Sequence, residues 1–445
     1  MVIHERASHS AGITLLQMQI VINNIINNII NKICPETKKT VKHEVIRVTA
    51  LTTGSEAWWQ SKSGPDLKPE NGKFRVTFWW RDPNGTQTSS PIKHVWLNIT
   101  GVTDHHQNAR PQSLKRIPDT DVWQWEGEFS PAWRGSYCFI PSVNENDFAD
   151  AVFEGESPDR MALREGWGKL LPHAVSDPLN PQSWRGGRGH AVSALEMPGA
   201  PVQPGWDRPD TPHHAPVCID WESARLKNRR RVWIFTTGEE NPDRPLAVLL
   251  DGQFWAESMP VWPALAALTR EGKLPPAVYV LIDVIDTAHR SRELPCNPDF
   301  WLAVQEELLP HIQCIAPFSD RADRTVAAGQ SFGGLSSLYA GLNWPQRFGC
   351  VLSQSGSYWW PHRGAQQEGL LIGQLKAGEK TARGLRIVLE AGRNEPLIFR
   401  VNQAIYAELH AQQVYWRQVD GGHDALCWRG GLTQGLMTLW QPLIQ

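Results

Sequence analysis

Past about residue 221 the chain alternates between short unbroken apolar runs and longer stretches compatible with helix. Arg231 to Thr236, Leu246 to Leu250, Ala277 to Ile282, Thr325 to Ala328, Gly349 to Ser353 and the runs around Ile387 and from Tyr415 read as strands. Ala256 to Glu271, despite two interior prolines, Phe300 to Ile315, Gly334 to Leu342, Leu370 to Ala377, Val401 to Ala411 and about Leu432 to Leu443 are expected as helices. Strands that alternate with helices predict a mostly parallel sheet covered on both faces, with the working loops at the carboxyl ends of its strands.

Between about Thr53 and Ser193 the period shortens to two. Phe74 to Trp80, Val95 to Thr100, Trp123 to Phe129 and Gly135 to Ile140 alternate apolar and polar positions and are broken by turn signals such as Asp82-Pro83-Asn84-Gly85. That is the pattern of a small β-sandwich. The expected organisation is a β-sandwich domain over 48–195, a proline-rich linker over 196–220 and an α/β domain over 221–445. Residues 1–47 fit neither. Their Ile/Asn tract from Ile20 to Asn31 is interrupted too often for a membrane span or a secretory apolar region, and reads as a low-complexity, disordered extension.

Composition narrows the partners. A formal net charge of -2 gives no electrostatic footprint for nucleic acid. Seven cysteines, odd in number and without CxxC spacing, suggest neither a disulfide framework nor a metal site and point to a reducing cytoplasm. Arg225, Lys227, Arg229, Arg230 and Arg231 form a basic run whose ordinary meaning is a solvated face. Tryptophan is the outlier at 22 of 445 residues, most of them expected in packing. Trp359 and Trp360 differ, because they follow a strand end beside the candidate chemistry.

That chemistry centres on Gly329-Gln330-Ser331-Phe332-Gly333, which lies between a strand-like run and a helix-like one. Flanking glycines tolerate a tight strand-to-helix turn that pushes the Ser331 hydroxyl out towards substrate; the plainer meaning of such a serine is a helix N-cap. A serine hydroxyl needs a base to take its proton and a third group to orient that base. His423, on the glycine-flanked loop Gly421-Gly422-His423-Asp424, is the expected base, and Glu395, just past a strand, the expected acid. Glu390 and Asp424 are nearby carboxylates that are less well placed, and a Ser-His dyad with weak acid support stays open. Ser331, Glu395, His423 is the chain order of the α/β-hydrolase fold, here with an N-terminal β-sandwich domain. The oxyanion hole is expected from the N–H groups of Phe332 and of Gln253, after the strand that breaks at Asp251-Gly252. Arg290 and Arg292, past the strand ending at Asp283, should look into the site with Trp359 and Trp360. His105 and His106, on a probable loop of the first domain, are further candidates to reach it.

Taken together, AGQSFGGLSSLYAGLNWPQRFG, SQSGSYWWPHRG, LEAGRNEP, DGGHDALCWRGG, WWQSKSGP and TGVTDHHQN resemble the bacterial enterochelin (enterobactin) esterase family, from about Val48 to the end. The resemblance implies a cytoplasmic serine hydrolase that opens the tri-serine lactone of ferric enterobactin and releases dihydroxybenzoylserine units. It also implies a β-sandwich that helps cover the site. The substrate is then a small siderophore; no nucleic acid, membrane or cofactor is expected, and iron enters only as part of the substrate. An anionic tris-catecholate suits a rim of Arg290, Arg292, Trp359 and Trp360. A general carboxylesterase of feruloyl-esterase type and a non-catalytic siderophore-binding protein are the alternatives.

Overall fold

The computed structural model describes residues 51–445 except 108, 152–159, 186–188, 208–213, 363–367, 411–412 and 445. The low-complexity tract expected over 1–47 lies outside the described residues. Thr52–Gln445 form one compact unit.

Its first part is the sandwich. One sheet takes the order β1 (Asp66–Glu70), β2 (Lys73–Arg81), β5 (Val122–Phe129), β4 (Lys115–Arg116); the other takes β3 (His94–Ile99), β6 (Arg134–Ser142), β8 (Ala191–Glu196), β7 (Ser183–Arg185). All pairings in both are antiparallel. Alternation does the sorting, since successive side chains point to opposite faces. Val76, Phe78 and Trp80 of β2 meet Val95, Leu97 and Ile99 of β3 in one buried cluster.

The second part is an eight-stranded sheet, of order β16 (Gln413–Val419), β15 (Arg386–Gly392), β14 (Cys350–Gln354), β13 (Thr325–Gln330), β11 (Leu246–Leu249), β12 (Val278–Ile282), β10 (Asn228–Thr236), β9 (Val217–Ser223). From β12 to β16 neighbouring strands are parallel, and β9 and β10 form an antiparallel edge. The central strands are apolar on both faces because helices cover both. Ala247 and Leu249 pack with Leu432, Leu436 and Trp440 on one side. Leu246 and Val248 pack with Phe300, Trp301 and Leu308 on the other.

Several boundaries shift from expectation, each for a local reason. Ala256 to Glu271 is not one helix: a π-turn at Phe254–Ser258 stops before Pro260, and a helix restarts at Trp262–Arg270 with a proline in its first turn. Proline lacks an N–H, so the first turn is where a helix accepts it. Phe300 to Ile315 is likewise interrupted by a π-turn, Val304–Leu308, ahead of Pro310. The helix expected from Val401 begins earlier, Pro396–Glu408, and the C-terminal one begins at once after the histidine loop, Ala425–Trp440. β9 starts at Val217, inside the stretch expected as linker. The part of that linker before β9 is strapped down: the Gln203 amide donates to Leu426 O at 2.5 Å and the Trp206 indole to Arg429 O at 2.9 Å.

Candidate active site

Ser331 sits between β13 and the helix Phe332–Asn343 with φ 58° and ψ -117°. A non-glycine residue held there is strained, and the surrounding backbone must impose it. Gly329 shows how close the turn is: a Cβ on it would lie 2.5 Å from the carbonyl carbon of Gly333. No other residue fits at that position without opening the turn, which is the physical content of the Gly-x-Ser-x-Gly spacing. Ser331 N–H donates to Gln354 O at 3.0 Å and Ser331 O accepts from Ser357 N–H at 3.0 Å, so the turn is stitched to the loop after β14. The two hydroxyls, Ser331 Oγ and Ser357 Oγ, stand 3.2 Å apart.

The acid and the imidazole meet on the next two strands. Glu395 Oε2 lies 2.6 Å from His423 Nδ1, while Oε1 accepts from Gly392 N–H at 2.7 Å and from Ser355 Oγ at 2.5 Å. The carboxyl is fully buried, and burial pushes it up to about 7 against the pull of the Ser355 and Gly392 hydrogen bonds. With Nδ1 held by a carboxylate, Nε2 is the nitrogen left to exchange protons with a reacting group. Trp428 completes a ring of contacts: its indole N–H donates to Ser355 Oγ at 2.9 Å, and its face stands edge-on to the His423 ring, centroids 4.8 Å apart. The three-residue loop Ser355-Gly356-Ser357 therefore touches the serine turn with one end and the acid with the other.

The two rival carboxylates are engaged by other partners. Glu390, buried and pushed up to about 7, pairs with Arg417 at 2.9 Å and accepts from the Gln354 amide at 2.7 Å. Asp424 caps the C-terminal helix through Leu426 N–H at 2.9 Å and accepts from Ser136 N–H at 2.5 Å and Ser136 Oγ at 2.9 Å, bolting the sandwich to the hydrolase sheet.

Phe332 opens its helix, where the first N–H groups have no partner within the helix. Gln253 stands at the start of the π-turn after β11. β11 and β13 are parallel neighbours in the register Leu249↔Ala328, and Gln253 and Phe332 each lie four positions beyond that pair, so the two backbones emerge side by side. Gly252 permits this, since a Cβ there would strike Leu281 C at 2.4 Å.

The expected substrate-binding residues separate. The Arg290 guanidinium makes a two-pronged ion pair with Asp251, at 2.6 and 2.9 Å, and donates to Gln330 O at 3.3 Å. It braces the serine turn from below rather than standing open as a cation at the rim. Arg292 is exposed, 3.8 Å from Glu293 Oε1. Trp359 is buried against Phe332, centroids 5.6 Å apart, beside the serine. Trp360 is half-buried and packs into the core under that loop. The arginines of the basic run, which leads into and through the start of β10, are held in ion pairs: Arg225 with Glu306, Arg229 with Asp220, Arg230 with Glu293 and Arg231 with Asp283 and Glu257.

The sandwich reaches the site through the loop after β3. The His106 ring lies 5.0 Å from the His423 ring, centroid to centroid, and His105 lies 4.0 Å from His106. Asp104 Oδ2 holds His106 Nδ1 at 2.7 Å, and the Gln107 amide donates to Asn394 O at 2.7 Å, next to Glu395. Ligand atoms of Asp104, His105 and His106 come within 4.8 Å of one another, a spacing that suits a metal ion. Among the described residues the six cysteines are free, and no helix is long and apolar enough to cross a membrane.

Ser355, Ser357 and Trp428 lie in segments that carry the family resemblance, but the sequence reading assigned none of them a role in the site. Their place is the further signal, two in the loop after β14 beside the elbow and one in the first turn of the helix after the histidine.

This sheet, with its serine turn after β13 and its acid and histidine beyond β15 and β16, makes the protein an α/β-hydrolase carrying an N-terminal sandwich. Comparison with known proteins narrows the class. Residues 75–206 match the family described as enterochelin esterase, N-terminal, and residues 223–439 that described as putative esterase. An iron(III) enterobactin esterase of Escherichia coli O6:H1 is 68% identical over 400 residues, spanning 89% of this chain and 99% of its own. That of Dickeya dadantii is 48% identical over 87% of this chain and 93% of its own. The crystal structure of ferric enterobactin esterase from Salmonella typhimurium superposes with a TM-score of 0.85 at 68% identity, covering 88% of this chain and all of that one. An enterobactin esterase from Shigella flexneri, crystallised in the presence of enterobactin, gives 0.81 at 67% over the same share of this chain and 100% of its own. The chain belongs to the enterochelin esterase family.

Proposed function

We propose that this protein hydrolyses the serine ester bonds of ferric enterobactin, with Ser331 as nucleophile, His423 as base and Glu395 as the acid that orients it. The observation that carries the chemistry is the Glu395–His423 contact of 2.6 Å, two strands along from a serine held at φ 58°. Substrate comes from kinship, since relatives up to 68% identical are named for this activity and one was crystallised with enterobactin present.

Ser331 Oγ attacks an ester carbonyl of the lactone as His423 Nε2 takes its proton. Negative charge gathers on the carbonyl oxygen, where the N–H groups of Phe332 and Gln253 receive it. The leaving seryl oxygen takes the proton back from His423 but stays tethered, so the opened linear trimer is held on Ser331 by its acyl end. Water, deprotonated by the same imidazole, then releases it, and single dihydroxybenzoylserine units come free only when its remaining ester bonds are cleaved in the same way. Glu395 stabilises the imidazolium formed at each step. Side chains carry every proton, so the reading includes no resident cofactor; iron is cargo on the substrate. Trp359, buried against Phe332, shapes the wall beside the acyl site, and Arg292 is an exposed cation suited to the anionic complex, whereas Arg290 supports the elbow. The cysteines among the described residues are unbridged, which supports a reducing compartment, and this reading takes it to be the cytoplasm.

The test compares turnover of ferric enterobactin by the wild type and by Ser331→Ala, with binding followed by quenching of tryptophan fluorescence. Loss of kcat on the order of 10^4-fold with binding retained is expected. Unchanged turnover would remove Ser331 from the reaction.

A further inference from the structure

The acid–imidazole pair of the hydrolase sheet has a counterpart facing it. Asp104 and His106 belong to the sandwich, yet their imidazole lies 5.0 Å from that of His423. Three contacts fix this placement. Asp104, 4% exposed, holds His106 Nδ1 at 2.7 Å. Gln107, the next residue, is tied to Asn394 O at 2.7 Å. At the base of the loop, Gly101 runs so near the histidine loop that a Cβ on it would lie 2.8 Å from Gly422 Cα, with Gly101 itself at φ +82°. Glu395 feels the pair electrostatically, lowered by His106 and raised by Asp104. The Gly101 and Gln107 contacts position the loop, but the His106 imidazole itself carries no proton in ester hydrolysis at Ser331, so a neutral short ester has no need of that side chain.

An imidazole whose Nδ1 is held by a carboxylate turns its other edge outward. Doubly protonated, that edge gives an N–H to an oxyanion, with the ring's charge balanced by the acid behind it. The His105 ring lies tilted against this imidazole, centroids 4.0 Å apart, so the two rings together present an aromatic edge against which a ligand ring can pack. A catecholate offers both partners at once: two oxygens sharing negative charge on the edge of a benzene ring.

We propose that His106, oriented by Asp104 and flanked by His105, receives a catecholate arm of the bound siderophore and sets the preference for it over simple esters. This rests on the substrate reading above. It makes the sandwich a specificity element whose working end is a single imidazole.

The experiment measures kcat and KM for ferric enterobactin and for p-nitrophenyl butyrate in wild type, His106→Ala and His106→Gln, each checked for an unchanged unfolding midpoint. KM for ferric enterobactin should rise about ten-fold, the worth of one charge-assisted contact, and the ratio of kcat/KM between the two substrates should fall by a similar factor. Asp104→Asn should shift the ratio in the same direction by less. A ratio unchanged in both His106 variants, whether both activities fall together or neither does, overturns the proposal. So does an equal loss in wild-type protein dialysed against EDTA, which would assign the effect to a metal ion on Asp104, His105 and His106. Failure of the substrate reading looks different: wild type itself would cleave the butyrate and leave ferric enterobactin intact, and the role of His106 would fall with it.

Discussion

Glu395 is fully buried and has three hydrogen-bond partners, of which Ser355 and Gly392 favour its charged form while burial opposes it. With the carboxyl pushed up to about 7, the sign of its pH dependence follows. The folded state holds a proton here that the unfolded chain gives up near 4.5, so this group's contribution to stability is complete below that pH and is lost as pH rises through about 7. Activity runs the other way, because only the carboxylate stabilises an imidazolium. A profile of kcat/KM against pH should therefore rise to a plateau above about 7. Ser355→Ala removes a hydrogen bond to the charged form and should move that limb upward by about one pH unit. A limb that stays in place would deny Ser355 this role. At this scale the sequence is readable where a residue has neighbours that constrain it locally. Gly329 and Gly333 announce Ser331, and glycines announce the loop of His423. Ser355 and Trp428 act through partners far along the chain, and so leave no pattern. Arg290 shows the same limit from the other side: nothing near it in sequence says that Asp251 takes its guanidinium.

Elements fared in proportion to how much of their packing is local. The alternating strands and helices follow from apolar period alone, and the sheet order puts the serine, acid and histidine loops at adjoining strand ends. The C-terminal helix is one of the elements that escape this, because Gly430 and Gly431 hide its first two turns and Gly435 follows in the next. Glycine costs a helix about 1 kcal/mol relative to alanine. Here close approach requires it: a Cβ at Gly431 would lie 2.0 Å from Glu390 Oε2 and 2.4 Å from Gln354 Nε2, and one at Gly435 would lie 2.5 Å from Leu352 Cδ1. Overlap outweighs propensity, so Gly431→Ala should destabilise by about 2 kcal/mol in urea unfolding. Gly373 provides the contrast. It lies in the helix Leu370–Lys376 with nothing within 4 Å of a Cβ, and Gly373→Ala should stabilise by about 0.5–1 kcal/mol.

At the scale of the molecule, sandwich and hydrolase sheet are joined at the histidine loop. Asp424 accepts from Ser136 of β6 and from its own helix, Arg134 N–H donates to Asp420 O at 3.1 Å, and Arg134 and Arg429 share Glu196. Asp424→Ala would leave Ser136 N–H and the helix start without acceptors in a buried setting. A loss of about 2–3 kcal/mol is expected, with a fall in kcat because the next residue back is His423. Full kcat in a destabilised variant would show that the bolt holds the domains without aligning the base. The glycine pair at 101 and 422 carries the further meaning of this joint. Where two backbones touch with no side chain between them, the earlier one is the mould in which the later loop is cast. On the proposed mechanism, a chain whose first module has not yet settled would have Ser331 in its turn but no fixed seat for His423, and turnover would wait until the whole polypeptide has come together.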